Sequence, residues 1–254
     1  MGARDREEQL QEPKATGIDN AKKKAFGWIR AAAWAIGVWL LLSTFIVQAY
    51  YIPSPSMETT LMVGDVLFVN KFLFGAKVPF IHAHLPAIRQ PRSGDIVVFI
   101  SPIEDSILVK RLIGVPGDTL QMKSAVLFRN GKPVEEPYAQ SSDPPGHSLD
   151  DDDPTRTIRG QMRTLQLPHY IGTDPAHYLP DVHEWGPIVV PHDSLWMMGD
   201  NRDRSRDSRF WGFTPRSNVR GTPLIIYYSW DASSYRPLPF FTATRWGRIF
   251  HIPK

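Results

Sequence analysis

Residues 108–118 read Leu-Val-Lys-Arg-Leu-Ile-Gly-Val-Pro-Gly-Asp. An apolar, β-branched run with two central cations ends in a Gly-Val-Pro-Gly-Asp turn, the pattern of a strand that stops abruptly. Working outward, similar runs stand at Asp65–Val69, Asp95–Ile100, Ser194–Met198 and Pro223–Ser229, each near Gly, Pro or Asp punctuation. The chain also has 23 prolines in 254 residues, about 9% where ~5% is usual, which disfavours a helical body. These runs predict a mostly β domain of coiled antiparallel sheet. Between about residues 124 and 191 the apolar density falls, which predicts a β/loop insertion or subdomain. No internal repeat is present.

The composition narrows the function classes. With 42% hydrophobic and 22% charged residues and a net charge of +3, the chain is neither disordered nor an acidic tail. A mean hydropathy of -0.26 leaves room for little more than one spanning helix. The absence of cysteine removes disulfides, thiol nucleophiles and thiolate metal sites. The pI near 9.1 rests on a three-charge excess, and no basic cluster interleaved with aromatics points to nucleic acid.

Ala31–Ala49, AAAWAIGVWLLLSTFIVQA, contains no charge, and as a helix it would span about 28 Å, close to a ~30 Å hydrocarbon core. Lys22, Lys23, Lys24 and Arg30 precede it, and the next basic residue is Lys71. That asymmetry predicts a cytoplasmic segment over 1–30, one transmembrane helix over 31–49 and an extracytoplasmic domain over 50–254. A cleaved secretory signal is the alternative, but this apolar run is longer and its polar lead larger than such signals have.

On the 108–113 strand, Lys110 shares a face with Leu108 and Leu112, while Arg111 points the other way. Apolar neighbours would desolvate Lys110. Bringing a lysine from about 10.4 to ~7 costs its charged form roughly 4.6 kcal/mol, within what burial supplies. The resulting neutral amine is a general base for a hydroxyl. An edge-strand lysine reaching solvent is the alternative. In Ile52-Pro-Ser-Pro-Ser-Met57, two prolines stiffen the backbone around Ser54 and Ser56, as a nucleophile and an oxyanion donor require; a plain linker is the other reading. Gly199–Gly212, GDNRDRSRDSRFWG, alternates carboxylates and guanidiniums and predicts a packed ion-pair network beside a site rather than a solvated hairpin. The turn at Arg92-Ser-Gly-Asp95 reads as scaffold. Asp150–Asp153 reads as an acidic loop and His82-Ala-His84 as surface, so no metal site is expected.

PSPSM at 53–57, SGDIVVF at 93–99, VKRLIGVPGD at 109–118 and GDNRDRSRDSRFWG at 199–212, in that order and spacing, resemble the boxes of bacterial type I signal peptidase, peptidase family S26. The resemblance covers nearly all of 50–227 and the anchor. It implies a Ser-Lys dyad with Ser56 as nucleophile and Lys110 as general base. It implies that Ser54 and the Ser56 N–H form the oxyanion hole, that Ser205 orients the lysine, and that Asp207 and Arg209 support the site. It further implies an inner-membrane enzyme that needs no cofactor and whose partners are secretory preproteins and the lipid bilayer, cleaving after small residues of the Ala-x-Ala type. A specialised relative, of the conjugation or mitochondrial inner-membrane type, and a non-catalytic anchored binding module are the alternatives. One departure stands out: Thr59 replaces the proline that the family commonly has after Ser-Met-x, which predicts a looser turn behind Ser56.

Overall fold

A computed structural model describes residues 15–45, 47–75, 86–141 and 155–254, with side chains in the helices described for 23–39 and 158–166. Asp150–Asp153 and His82-Ala-His84 lie outside these residues. The chain divides into Met1–Thr44 and Phe45–Lys254.

The first unit contains helix α1, Ala15–Phe45. Among the described residues no helix is long and apolar enough to cross a membrane; part of the expected 31–49 span falls on side chains that are not described. The last residues of that charge-free run are not helical. Val47–Tyr51 is strand β1, paired antiparallel with β2, Asp65–Asn70, in the register Val47↔Asn70 to Tyr51↔Val66. A β-branched Val47 followed by Ala49, Tyr50 and Tyr51 suits a pleated surface better than a helix end.

The order continues with β3 Ile96–Ile100, β4 Ile107–Gly114, β5 Thr119–Lys123, β6 Val126–Arg129, β7 Lys132–Pro133, helix α2 Thr155–Gln166, β8 Trp185–Val189, β9 Ser194–Met198, helix α3 Ser208–Trp211, β10 Thr214–Pro215 and β11 Val219–Ser229. A seven-stranded sheet has the order β1-β2-β11-β3-β4-β9-β10, and a four-stranded sheet the order β7-β6-β5-β8. Every pairing between these strands is antiparallel, as the strand runs predicted. Register breaks in β4 and β11 mark where the large sheet bends.

Strand β3 shows why the sheet curls. Ile96 and Val98 enter a cluster with Ile52, Met57, Leu61, Leu67 and Ile226, while Val97 and Phe99 enter another with Leu112, Met197 and Trp211. A strand buried on both faces reads as a continuous apolar run, as Ile-Val-Val-Phe-Ile does.

The insertion differs from expectation. Its sheet starts at Thr119, before the expected boundary at 124, and it includes α2. Ile158, Met162 and Leu165 recur at helical spacing; Met162 is buried, and α2 packs against α3. The insertion therefore braces the short helix that begins immediately after Asp207.

Candidate active site

Strand β1 runs through Ile52-Pro53 into a single 3-10 turn, Pro55–Met57. Pro55 opens that turn, where its fixed φ costs nothing and its missing N–H is not needed. The turn holds Ser54 and Ser56 with their hydroxyl oxygens 3.3 Å apart. Ser56 is buried, and its main-chain carbonyl accepts the Asn201 N–H at 3.1 Å.

Behind Ser56, the expected looser turn does not occur. Glu58 N–H donates to Pro55 O at 3.0 Å and Leu61 N–H to Met57 O at 2.7 Å. Thr59 has φ +85°, a conformation uncommon for a β-branched residue and closed to proline. Its hydroxyl donates to Tyr138 O at 3.0 Å. The Pro-to-Thr departure thus accompanies a different backbone that is tied down by a side-chain bond. Farther along, Asp65 accepts from Ser229 Oγ at 2.7 Å and from Arg248 Nε and Nη2 at 3.0 and 2.6 Å. This fixes the far end of the loop.

Lys110 lies on β4 opposite Val97, next to Leu108 and Leu112 as the alternation predicted. It is 3% exposed. Burial is the main influence lowering its pKa from 10.5 to about 8; Arg209 adds to the fall, while Asp207 and Asp200 oppose it. At pH 7 about a tenth of such lysines are neutral, against about 0.03% of ordinary ones.

The segment Gly199–Arg209 forms a wall common to both residues. A Cβ on Gly199 would collide with the Ser56 carbonyl oxygen and with Ser205 Oγ, so only glycine lets the wall approach the turn this closely. Gly199 N–H donates to Asp207 Oδ2 at 3.0 Å. Asp207 also caps α3 and takes both Nε and Nη2 of Arg209 at 2.9 Å, with both side chains fully buried. Burial alone would raise the Asp207 pKa; the Arg209 guanidinium, Lys110 and the Gly199 N–H outweigh it and hold the carboxyl below its ordinary value. Arg209 is in turn satisfied by the carbonyls of Arg202 and Val182. Within this wall Ser205 Oγ is buried and has no hydrogen-bond partner among the described residues.

A second ion pair was not anticipated in the sequence. Arg111, adjacent to Lys110, grips Asp200 through Nε and Nη2 at 2.8 and 2.7 Å, and the same carboxylate accepts Thr60 Oγ1 at 2.6 Å. The strand reading put Arg111 on the opposite face from Lys110 but gave it no partner; the acidic half of the 199–212 box was the available signal. Arg202 holds Glu136 at 2.5 and 2.9 Å and caps Gly199 O at 3.1 Å. Gln140 pairs with Asn201. The 136–141 strap is thereby bonded to the Gly199–Arg209 wall. Among the described residues no group of three His, Asp or Glu side chains is placed to hold a metal ion.

A buried lysine of lowered pKa, two clustered serine hydroxyls and a preorganised polar wall are groups of the kind that a hydrolase with a serine nucleophile would draw on. The family model for signal peptidase, peptidase S26, matches residues 25–228. Signal peptidase I of Pseudomonas aeruginosa is 34% identical over 217 residues, covering 80% of this chain and 72% of that protein. Signal peptidase I of Aquifex aeolicus is 32% identical over 222 residues, 78% of this chain and 82% of that protein. That of Bacillus licheniformis is 30% identical over 223 residues, 87% of this chain and 97% of that protein. A crystal structure of a signal peptidase I from Enterococcus faecalis is 25% identical and covers 54% of this chain and 98% of that one, with a TM-score of 0.35. The chain belongs to the signal peptidase family, peptidase S26. It is accordingly a proteolytic enzyme, a signal peptidase.

Proposed function

We propose that this enzyme removes the signal peptides of secretory preproteins with a Ser56–Lys110 dyad. The observation that carries the reading is the burial of Lys110 against the wall that also holds Ser56. Neutral Lys110 takes the proton from Ser56 Oγ, which attacks the scissile carbonyl. The Ser54 hydroxyl and the Ser56 N–H stabilise the oxyanion. The amine of the mature chain leaves with a proton from Lys110, and the neutral lysine then activates the water that hydrolyses the acyl-enzyme. Ser205 Oγ, buried and without a partner among the described residues, is free to accept a hydrogen bond from the lysine and so to orient it. Asp207 and Arg209 hold the wall, and no cofactor enters any step.

Strand β1 is the outer strand of its sheet and leads into Ser54. Its outer edge, unpaired among the described residues, offers main-chain bonds to an extended peptide. Ile52, Met57 and Leu61 pack in one buried cluster around the nucleophile turn, apolar surroundings that suit small side chains such as those of Ala-x-Ala.

The anchor reading rests on the sequence and on α1. Phe26, Trp28, Ile29, Trp34, Ile36, Val38 and Trp39 are exposed and, at about 100° per residue, are distributed around the whole helix. A helix apolar on all sides requires an apolar surrounding. With Lys22–Lys24 on the cytoplasmic side, residues 50–254 lie outside the inner membrane. Leu238 and Phe241, each 71% exposed, suit contact with the bilayer surface.

The test is incubation of the detergent-solubilised enzyme with a preprotein bearing an Ala-x-Ala site, beside Ser56→Ala and Lys110→Met. Cleavage by the wild type alone is expected. No cleavage by the wild type, or cleavage by either variant, contradicts the proposal.

A further inference from the structure

We propose that Tyr138, on the strap that follows the small sheet, is a positioning residue for the dyad, a role that rests on the Ser56–Lys110 reading above. Its carbonyl holds the Ser56 turn through Thr59, and its ring holds Arg111 beside Lys110.

The turn that carries the nucleophile is one hydrogen-bonded unit. Glu58 N–H donates to Pro55 O at 3.0 Å, and Thr60 and Leu61 N–H donate to Met57 O at 3.1 and 2.7 Å. A displacement at Thr59 is therefore passed back to Ser56. Thr59 has φ +85°, a strained conformation for a β-branched residue that persists where the surroundings enforce it. The enforcing contact is its own hydroxyl, which donates to Tyr138 O at 3.0 Å.

The ring of Tyr138 reaches the other member of the dyad. The guanidinium of Arg111, which follows Lys110 on β4, lies 3.7 Å from the ring centre. The phenol hydroxyl donates to Glu136 Oε1 at 3.1 Å, and that carboxylate is held by Arg202, so the ring is fixed from its far end as well. Two residues on, Gln140 N–H donates to Asp200 O at 2.7 Å and Gln140 O accepts Arg202 N–H at 2.8 Å. Between these two wall residues stands Asn201, whose N–H holds the Ser56 carbonyl at 3.1 Å. The strap itself enters from the small sheet, where Val134 N–H donates to Leu127 O at 2.9 Å. The small sheet thus fixes, through Tyr138, how the Ser56 turn stands against the Lys110 strand. Proton transfer between the two depends on that placement, and a misplacement of ~1 Å can cost about 10²-fold in rate.

The experiment measures single-turnover acylation by a preprotein, with the burst amplitude counting active sites, in the wild type, Thr59→Val, Thr59→Ser, Tyr138→Leu and the Thr59→Val/Tyr138→Leu double variant, beside Ser56→Ala. Valine keeps the branching of threonine and lacks the hydroxyl. Thr59→Val is expected to acylate about two- to tenfold more slowly, the worth of one neutral hydrogen bond, with burst amplitude and KM unchanged. Thr59→Ser, which keeps the donor, is expected to acylate at the wild-type rate. Tyr138→Leu removes the ring from Arg111 and is expected to slow acylation by a similar factor. The double variant should lose clearly less than the product of the two single losses, because both act through one strap. A wild-type rate in Thr59→Val, an equal loss in Thr59→Ser, or two losses that simply multiply overturns the inference. So does a loss confined to burst amplitude, which marks misfolding alone. Each of these leaves the signal-peptide reading standing, whereas cleavage by Ser56→Ala overturns both.

Discussion

Replacing Lys110 by methionine should make the protein more stable while abolishing cleavage. Lys110 has a folded pKa of about 8 against an ordinary 10.5. At about 1.36 kcal/mol per pH unit, that gap is about 3 kcal/mol. Because the folded value is the lower one, the unfolded chain binds more protons between pH 8 and 10.5. Stability therefore rises with pH across that window, and the cost of burying the lysine is fully present below it. Methionine has nearly the same length and no charge, so it fills the site beside Leu108 and Leu112 without this cost. The expected gain at pH 7 is about 3 kcal/mol, or about 6–12 °C in Tm for a domain of this size. The gain should become small by pH 10.5. Thermal or urea unfolding at pH 7 and at pH 10.5 measures both. A Lys110→Met protein no more stable than the wild type at pH 7, or one whose advantage is independent of pH, would show that burial does not hold this lysine near neutrality.

Ser54→Ala should lower kcat by about 10²–10³, the usual effect of losing one oxyanion donor, with the melting temperature unchanged; a change confined to KM would assign Ser54 to binding. Asp207→Asn leaves the fully buried Arg209 without its countercharge and should cost about 3–5 kcal/mol in urea unfolding; a cost under ~1 kcal/mol would mean that the Arg202 and Val182 carbonyls suffice. Gly199→Ala should push the wall away from the Ser56 carbonyl and Ser205 and reduce kcat with little change in KM, whereas full activity would place no functional demand on that close approach.

Much of the fold was legible because alternation and punctuation agree in the large sheet. Ser194–Met198 forms a strand over the range its pattern marks, and Asp65, Asp95 and Gly114 stand where their strands begin or end. What escaped notice has physical causes. Val47–Ala49 is apolar enough to extend a membrane run but pairs with β2, because an uncharged stretch carries no mark separating helix from strand. Helix α2 has clear spacing at Ile158, Met162 and Leu165, but Gly160 and the Pro- and Asp-rich flanks masked it. In the candidate site, the segments that carry Ser54, Ser56, Lys110, Ser205, Asp207 and Arg209 stand out as local motifs, while the parts proposed for Ser205, Asp207 and Arg209 rest on the resemblance. The Arg111–Asp200 and Arg248–Asp65 pairs join residues 89 and 183 positions apart, and no local pattern announces a partner at that distance. The turn behind Ser56 shows the same limit: a proline missing from one position suggested slackness, whereas the tether comes from Tyr138.

The pH dependence of kcat/KM for preprotein cleavage tests the dyad most directly. A lysine titrating at about 8 predicts a single-proton limb that rises tenfold per pH unit below about 8 and levels above it. The limb should be insensitive to replacement of His251 or His183. A limb centred near 6.5, where an ordinary histidine titrates, or a rate that does not vary between pH 6 and 9, would contradict Lys110 as the base that activates Ser56.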